Sequence, residues 1–168
     1  HKNEKINKCY INDIIPHLIS FYETVSKKEW LDSLFDEIDL LVNLFEKGNK
    51  KNVYGSAKEN SGWVKDFNEL WLDKHPSTKE EKIKSAALFF VLNKTGFNGM
   101  FRLNKDGKFN IPKGDTEKIN FNDKVKNNFI EVSSILEKTS IHCGSYEKIL
   151  PPKNEIDKKT SFIYLDPP

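Results

Sequence analysis

Short apolar runs of strand character stand near both ends of this chain, and almost everything between them is spaced as helix. "NKCYIND" reads as a strand over residues 8 to 12 ending at Asp13. "IIPHLISFYETV" then puts Pro16 in a first helical turn, with apolar residues at helical intervals. Toward the other end "SIHC" reads as a strand, "GSYEKIL" as a turn and helix start, and "SFIYL" as a further strand. The order is strand, helix, long helical stretch, helix, strand, strand. It predicts an α/β sheet interrupted by an insertion, over a chain of 168 residues whose 37% apolar content suffices for a core.

The middle segment carries its own signals. "WLDSLFDEIDLLVNLFEKG" aligns Leu31, Leu34, Phe35, Ile38, Leu41 and Phe45 on one helical stripe, with Gly48 as the stop. Residues 49 to 61 are rich in Lys, Asn, Gly and Ser and read as a loop. "WVKDFNELWLDKH" is a helix that must end before Pro76. "PSTKEEKIKSAALFFVLNKT" opens with two overlapping capping boxes, Ser77 with Glu80 or Thr78 with Glu81. In "GFNGMFRLNKDGKFNIPKG" the Asp106-Gly107 pair predicts a β-hairpin with its turn at residues 104 to 107. "FNDKVKNNFIEVSSILEKT" is helical again.

Charge is distributed unevenly. Residues 21 to 50 carry seven acids against four lysines, whereas residues 91 to 130 carry seven lysines and Arg102 against four acids. The second stretch is a candidate phosphate-facing surface, with a solvated lysine-rich face as the alternative. Arg102 is the only arginine among 27 basic residues. Its planar fork can pair bidentately with guanine O6 and N7 as lysine cannot, the alternative being a surface ion pair. No run approaches the roughly 18 to 20 apolar residues of a membrane span, and no signal peptide opens the chain, so a cytoplasmic setting is expected. Cys9 and Cys143 fit neither a disulfide framework nor a zinc site and read as buried free thiols; no metal is expected.

In open α/β sheets ligands lie beyond the carboxyl ends of the strands, which here are Asp13, Gly144-Ser145-Tyr146 and Asp166-Pro167-Pro168. An acid in the first of these positions can accept from both ribose hydroxyls of an adenosine cofactor, or it can cap the helix that follows.

Together "INDIIPHLISFY", "LNKTGFNGMFRLNKDGKFNIPKG" and "YLDPP" resemble, in order and spacing, the adenine-specific DNA methyltransferases of the Dam and DpnM type. The resemblance covers nearly the whole chain. It implies a Rossmann-like S-adenosylmethionine-dependent methyltransferase sheet, present in part, with an inserted helical and β-hairpin target-recognition domain. The expected division is a catalytic α/β part over 1–27, the DNA-binding insert over 28–122, and a second catalytic part over 123–168 that ends in the family's DPPY motif. The family's glycine-rich cofactor loop and the motif's Tyr have no counterpart here, which leads to the expectation of an internal piece of such an enzyme.

The resemblance implies roles residue by residue. The Asp166 carboxylate and the Pro167 carbonyl would accept from the exocyclic amino group of a flipped adenine, with Pro168 stiffening the turn. Asp13 and Asp166 would hold S-adenosylmethionine, and Ser145 or Tyr146 would lie along its adenine, a helix cap and a packed aromatic being the plainer reading of that pair. Phe97 would intercalate where the base leaves the duplex, unless it is core, and Met100 and Pro112 would touch a thymine methyl. Asn98 and Asn104 would form turns, contact DNA, or both. Lys94, Lys105, Lys108 and Lys113 would meet phosphates. Arg102, Met100 and Pro112 stand where GATC-specific relatives carry an Arg, an apolar residue and a Pro, which makes GATC the expected target. The implied partners are double-stranded DNA and a cognate restriction endonuclease. A non-catalytic DNA-binding module and a protein-interaction domain docking through the acidic helix are the competing classes.

Overall fold

The computed structural model describes residues 8–72, 75–150 and 162–165. Strand β1, Cys9–Asp13, pairs in parallel with β2, Thr139–Cys143, in a register that sets Tyr10 beside Ser140 and Asp13 beside Cys143. A parallel pair cannot be joined by a tight turn. Here the crossover is nearly the whole molecule. It runs through α1 (Pro16–Val25), α2 (Leu31–Lys47), α3 (Lys50–Tyr54), α4 (Gly62–Leu72), α5 (Lys79–Thr95) and α6 (Asp123–Leu136).

Helix α5 is the hub. Residues 86–92 are all buried, and α1, α2 and α4 surround it. A helix that is apolar on every side must lie inside. Its start is the capping box of Thr78 and Glu81, with Thr78 Oγ1 accepting from Glu81 N at 3.2 Å. The alternative box of Ser77 with Glu80 does not form, because Ser77 N and Oγ both donate to Glu81 Oε2. Helix α2 buries the expected stripe against α5, including Leu34, Ile38 and Phe45, all at 0% exposure. Helix α6 is tied to α2 by Lys126 Nζ and Asp39 Oδ2 at 2.6 Å, with the ammonium over the ring of Phe121.

Four expectations need correction. The supposed loop from 49 to 61 contains α3, whose start Asn49 caps by accepting from Asn52 N. That short helix exists because Tyr54 is fully buried and donates its hydroxyl to Ile111 O at 2.9 Å. The hairpin is not a continuous ladder. Isolated antiparallel bridges, Gly96 with Lys113 and Leu103 with Phe109, close a compact irregular arm. Between them one side is occupied by the 3-10 turn Phe97–Gly99, with Asn98 and Gly99 at positive φ, and on the other side Pro112 has no N–H to give. Residues 162–165, expected as a strand, form neither strand nor helix and are exposed. A strand exists only with a partner edge, and neither β1 nor β2 pairs with them. Of the two cysteines expected to be buried, Cys9 is half-buried and Cys143 is exposed at the end of β2.

The buried polar side chain His17 sits in the second position of α1 with its ring 4.0 Å from Trp71, 5.3 Å from Phe101 and 5.5 Å from Phe67. Burial, reinforced by the nearby positive charge of His75, lowers its pKa from 6.5 to about 4. The folded protein therefore binds this proton more weakly than the unfolded chain, and stability is full above pH 6.5 and falls as pH drops toward 4. The loss from this group is roughly 3 kcal/mol at about 1.4 kcal/mol per pKa unit. Urea midpoints measured between pH 7 and pH 4 should fall less steeply in His17→Phe, which keeps an aromatic ring and removes the titration. Identical slopes in the two proteins would contradict the assignment.

Candidate cofactor end and DNA-reading arm

Two clusters of the expected residues are visible. The first lies at the carboxyl ends of the paired strands. The backbone carbonyl of Asp13 accepts from Gly144 N at 2.9 Å, and Asn12 Nδ2 donates to Gly144 O at 2.8 Å. Asp13, Gly144, Ser145 and Tyr146 are thus brought to one edge although 130 residues of chain separate them. Asp13 is not the helix cap. That position belongs to Ile15, and the Asp13 carboxylate instead accepts from Ile15 N through Oδ1 at 2.7 Å, a turn that orients the acid. Gly144 sits at φ +141, where a side chain would be strained. Ser145 precedes the 3-10 turn Tyr146–Lys148 without making a side-chain cap bond, and Tyr146 is 52% exposed, so neither the cap nor the packed aromatic describes them. Ile14 is 74% exposed at the same edge. Asp166, Pro167 and Pro168 lie outside the described residues.

The second cluster is the arm between Thr95 and Gly114. Phe97 and Met100 are both exposed, at 50% and 43%, so Phe97 is not core. Arg102 forms no ion pair among the described residues; its Nε donates to Asn110 Oδ1 at 3.1 Å. Asn98 adopts the left-handed conformation that its turn-forming role requires. Asn104 is also a turn former, its Oδ1 accepting from Asp106 N and Lys108 N, both at 2.9 Å. Pro112 is exposed and accepts from Phe97 N at the arm's base. Lys94 is exposed with its ammonium over the ring of Phe90, and Lys105 is exposed at the tip. Lys113 departs from the phosphate-facing expectation. Its Nζ donates to Gly114 O and Thr116 O and pairs with Glu117, so its charge is spent on shaping the end of the arm.

The model of the D12 class N6 adenine-specific DNA methyltransferases matches residues 1–168. The chain belongs to that family. It is 32% identical to the Type II methyltransferase M.MjaIII of Methanocaldococcus jannaschii over 98% of this chain and 51% of that protein. Identity to the Type II methyltransferase M.CviBI of Paramecium bursaria Chlorella virus NC1A is 30%, over 82% of this chain and 49% of the relative. The Retron Ec67 DNA adenine methylase of Escherichia coli is 27% identical over 94% of this chain and 47% of its own length. The chain therefore spans about half the length of the curated relatives it matches.

In this D12-class chain several residues that shape both clusters carry no sequence signal of their own. Asn12 ties the β1 end to Gly144, and its Oδ1 is buried with no hydrogen-bond partner among the described residues. Asn68 on α4 is 5% exposed and clasps Phe109 through both backbone groups, donating from Nδ2 to the carbonyl at 3.1 Å and accepting from the amide at 2.7 Å. Composition and periodicity treat both as ordinary polar positions. Among the described residues no helix is long and apolar enough to cross a membrane, and no group of three His, Cys, Asp or Glu could hold a metal ion.

Proposed function

We propose that this chain is the target-recognition and cofactor-edge portion of an adenine N6 DNA methyltransferase that uses S-adenosylmethionine and reads a GATC-like site in duplex DNA. The observation that carries the reading is the exposed arm, because Phe97, Met100 and Arg102 present an aromatic, a thioether and a cationic fork from one short, well-anchored loop. Exposed apolar side chains beside a lone arginine are costly for solubility and useful for base edges and unstacked steps. In this reading residues 1–27 and 123–168 belong to a Rossmann-like catalytic part, and 28–122 form the inserted recognition domain.

The strand edge suits an adenosine cofactor. The Asp13 carboxylate retains acceptor capacity beyond its bond to Ile15 N, enough for ribose hydroxyls. The exposed Ile14 and Tyr146 offer apolar surface to an adenine ring. Bound there, S-adenosylmethionine would supply the methyl group. The chain's own part in the chemistry is to orient the nucleophile. Adenine's amino lone pair is conjugated into the ring, and two acceptors on its hydrogens, the Asp166 carboxylate and the Pro167 carbonyl, would draw that nitrogen toward tetrahedral geometry. Pro168 would stiffen the turn that aims them. Positioned acceptors of this kind act mainly in the transition state and so raise the rate. On the DNA side Arg102 would read guanine, Phe97 would fill the gap left by the flipped adenine, Met100 and Pro112 would meet a thymine methyl, and Lys94, Lys105, Asn98 and Asn104 would contact the backbone or base edges. A cognate restriction endonuclease is the partner that this role implies.

The test is transfer of a tritiated methyl from S-adenosylmethionine to duplexes with and without GATC, by the full-length protein and by its Arg102→Ala variant. Methylation confined to GATC duplexes, with kcat/KM reduced about 10- to 100-fold in Arg102→Ala, is the expected result for a lost bidentate base contact. Duplex binding without methylation would leave a DNA-recognition module instead.

A further inference from the structure

The arm raises a question that its exposed residues do not answer: what aims a single arginine on an irregular loop. A free arginine samples many rotamers, and ordering it costs entropy at the moment of binding. In this structure the ordering is built in. Arg102 Nε donates to Asn110 Oδ1 at 3.1 Å across the arm, and Asn110 N donates back to Arg102 O at 3.4 Å. Asn110 is itself held on both sides. Phe109, fully buried, has its amide and carbonyl clasped by the Asn68 side chain, and Ile111 has its carbonyl held by the buried hydroxyl of Tyr54. Two interior side chains thus pin the backbone flanking one half-buried asparagine, and that asparagine holds the arginine.

We propose that Asn110 is the positioning residue that aims Arg102 at a base edge, with Asn68 as the clasp that fixes Asn110. This rests on the reading of the arm as the DNA-reading element. The geometry also specifies how the base is read. With Nε engaged by Asn110, the two terminal nitrogens are left to form the fork, so guanine O6 and N7 are contacted end-on. Asn68 reaches the arm from α4 and touches no DNA in this scheme.

The experiment measures the full chain binding to a GATC duplex and to the same duplex carrying 7-deazaguanine, which lacks the N7 acceptor. The native protein should bind the modified duplex roughly tenfold more weakly, as expected for one arm of a bidentate contact. Asn110→Ala should shrink that penalty to less than about twofold, while Asn110→Asp, which keeps an acceptor for Nε, should restore it. Asn68→Ala should behave as Asn110→Ala, with near-ultraviolet circular dichroism confirming that it folds. An undiminished tenfold penalty in Asn110→Ala would overturn the positioning role while leaving Arg102 as the reader. A native protein that shows no penalty would remove the guanine contact itself, and this proposal with it.

Discussion

Asp166→Ala in the full-length protein should lower kcat for methyl transfer by at least about 100- to 1,000-fold, the scale seen when one preorganised hydrogen-bonding group is removed from a transition state. KM for duplex and for S-adenosylmethionine should change far less than kcat. The reason is the electronic state of adenine, the proposed substrate. In ground-state adenine the amino nitrogen is planar, and its hydrogens already have good partners in water or in the base pair. The bond to a carboxylate strengthens only as nitrogen acquires positive charge, so its removal is felt in the rate. Asp166→Asn keeps an oxygen acceptor and loses the negative charge, and it should fall between Asp166→Ala and the native protein. Single-turnover methylation separates the outcomes: an unchanged chemical step in Asp166→Ala would refute the proposed role of this acid.

Phe67→Ala should cost about 3–5 kcal/mol of folding stability, the range for truncating a buried aromatic. Phe67 is 1% exposed on α4, and its ring centroid lies 6.0 Å from Phe109, 6.3 Å from Phe101, 6.4 Å from Phe89 and 5.5 Å from His17. These neighbours come from the arm, from the central helix α5 and from α1 behind the β1–β2 edge. Their rings would line the void, and none can fill it without leaving contacts elsewhere. The effect should reach function as well, because Phe101 and Phe109 flank the segment that presents Arg102. Phe67→Leu retains most of the volume and should cost far less. Denaturant midpoints for the two variants check this, and a loss below about 1 kcal/mol in Phe67→Ala would show that the aromatic cluster does not organise the arm.

Much of the helical skeleton is legible from local chemistry. The stripe of α2, the Pro16 start of α1 and the Thr78 capping box each depend on residues within a turn or two of one another, where the 3.6-residue period and the orphan backbone groups act directly. The acid after the first strand and the turn after the second could be marked for the same reason, since each stands at the end of a short apolar run. That they lie side by side follows from the parallel register of β1 and β2, and local pattern is silent on register between distant strands. The arm shows the same division. Its composition marks Phe97, Met100 and Arg102 as an unusual set, but Asp106-Gly107 suggests a regular hairpin that Pro112 and the turn at Phe97–Gly99 do not permit. Its true anchors, Asn68 and Tyr54, lie 41 and 57 residues from the backbone groups they hold. Side chains that satisfy distant backbone groups leave no periodicity behind. The short helix α3, the exposure of Cys143 and the turned-in charge of Lys113 belong to the same class. Each is the outcome of many elements competing for one interior. Which side chains have the chemistry that base edges and phosphates would need can be seen in the order of letters, whereas which of them stand free at the surface and which are held by neighbours is decided by packing, because burial and hydrogen-bond satisfaction are properties of the whole fold.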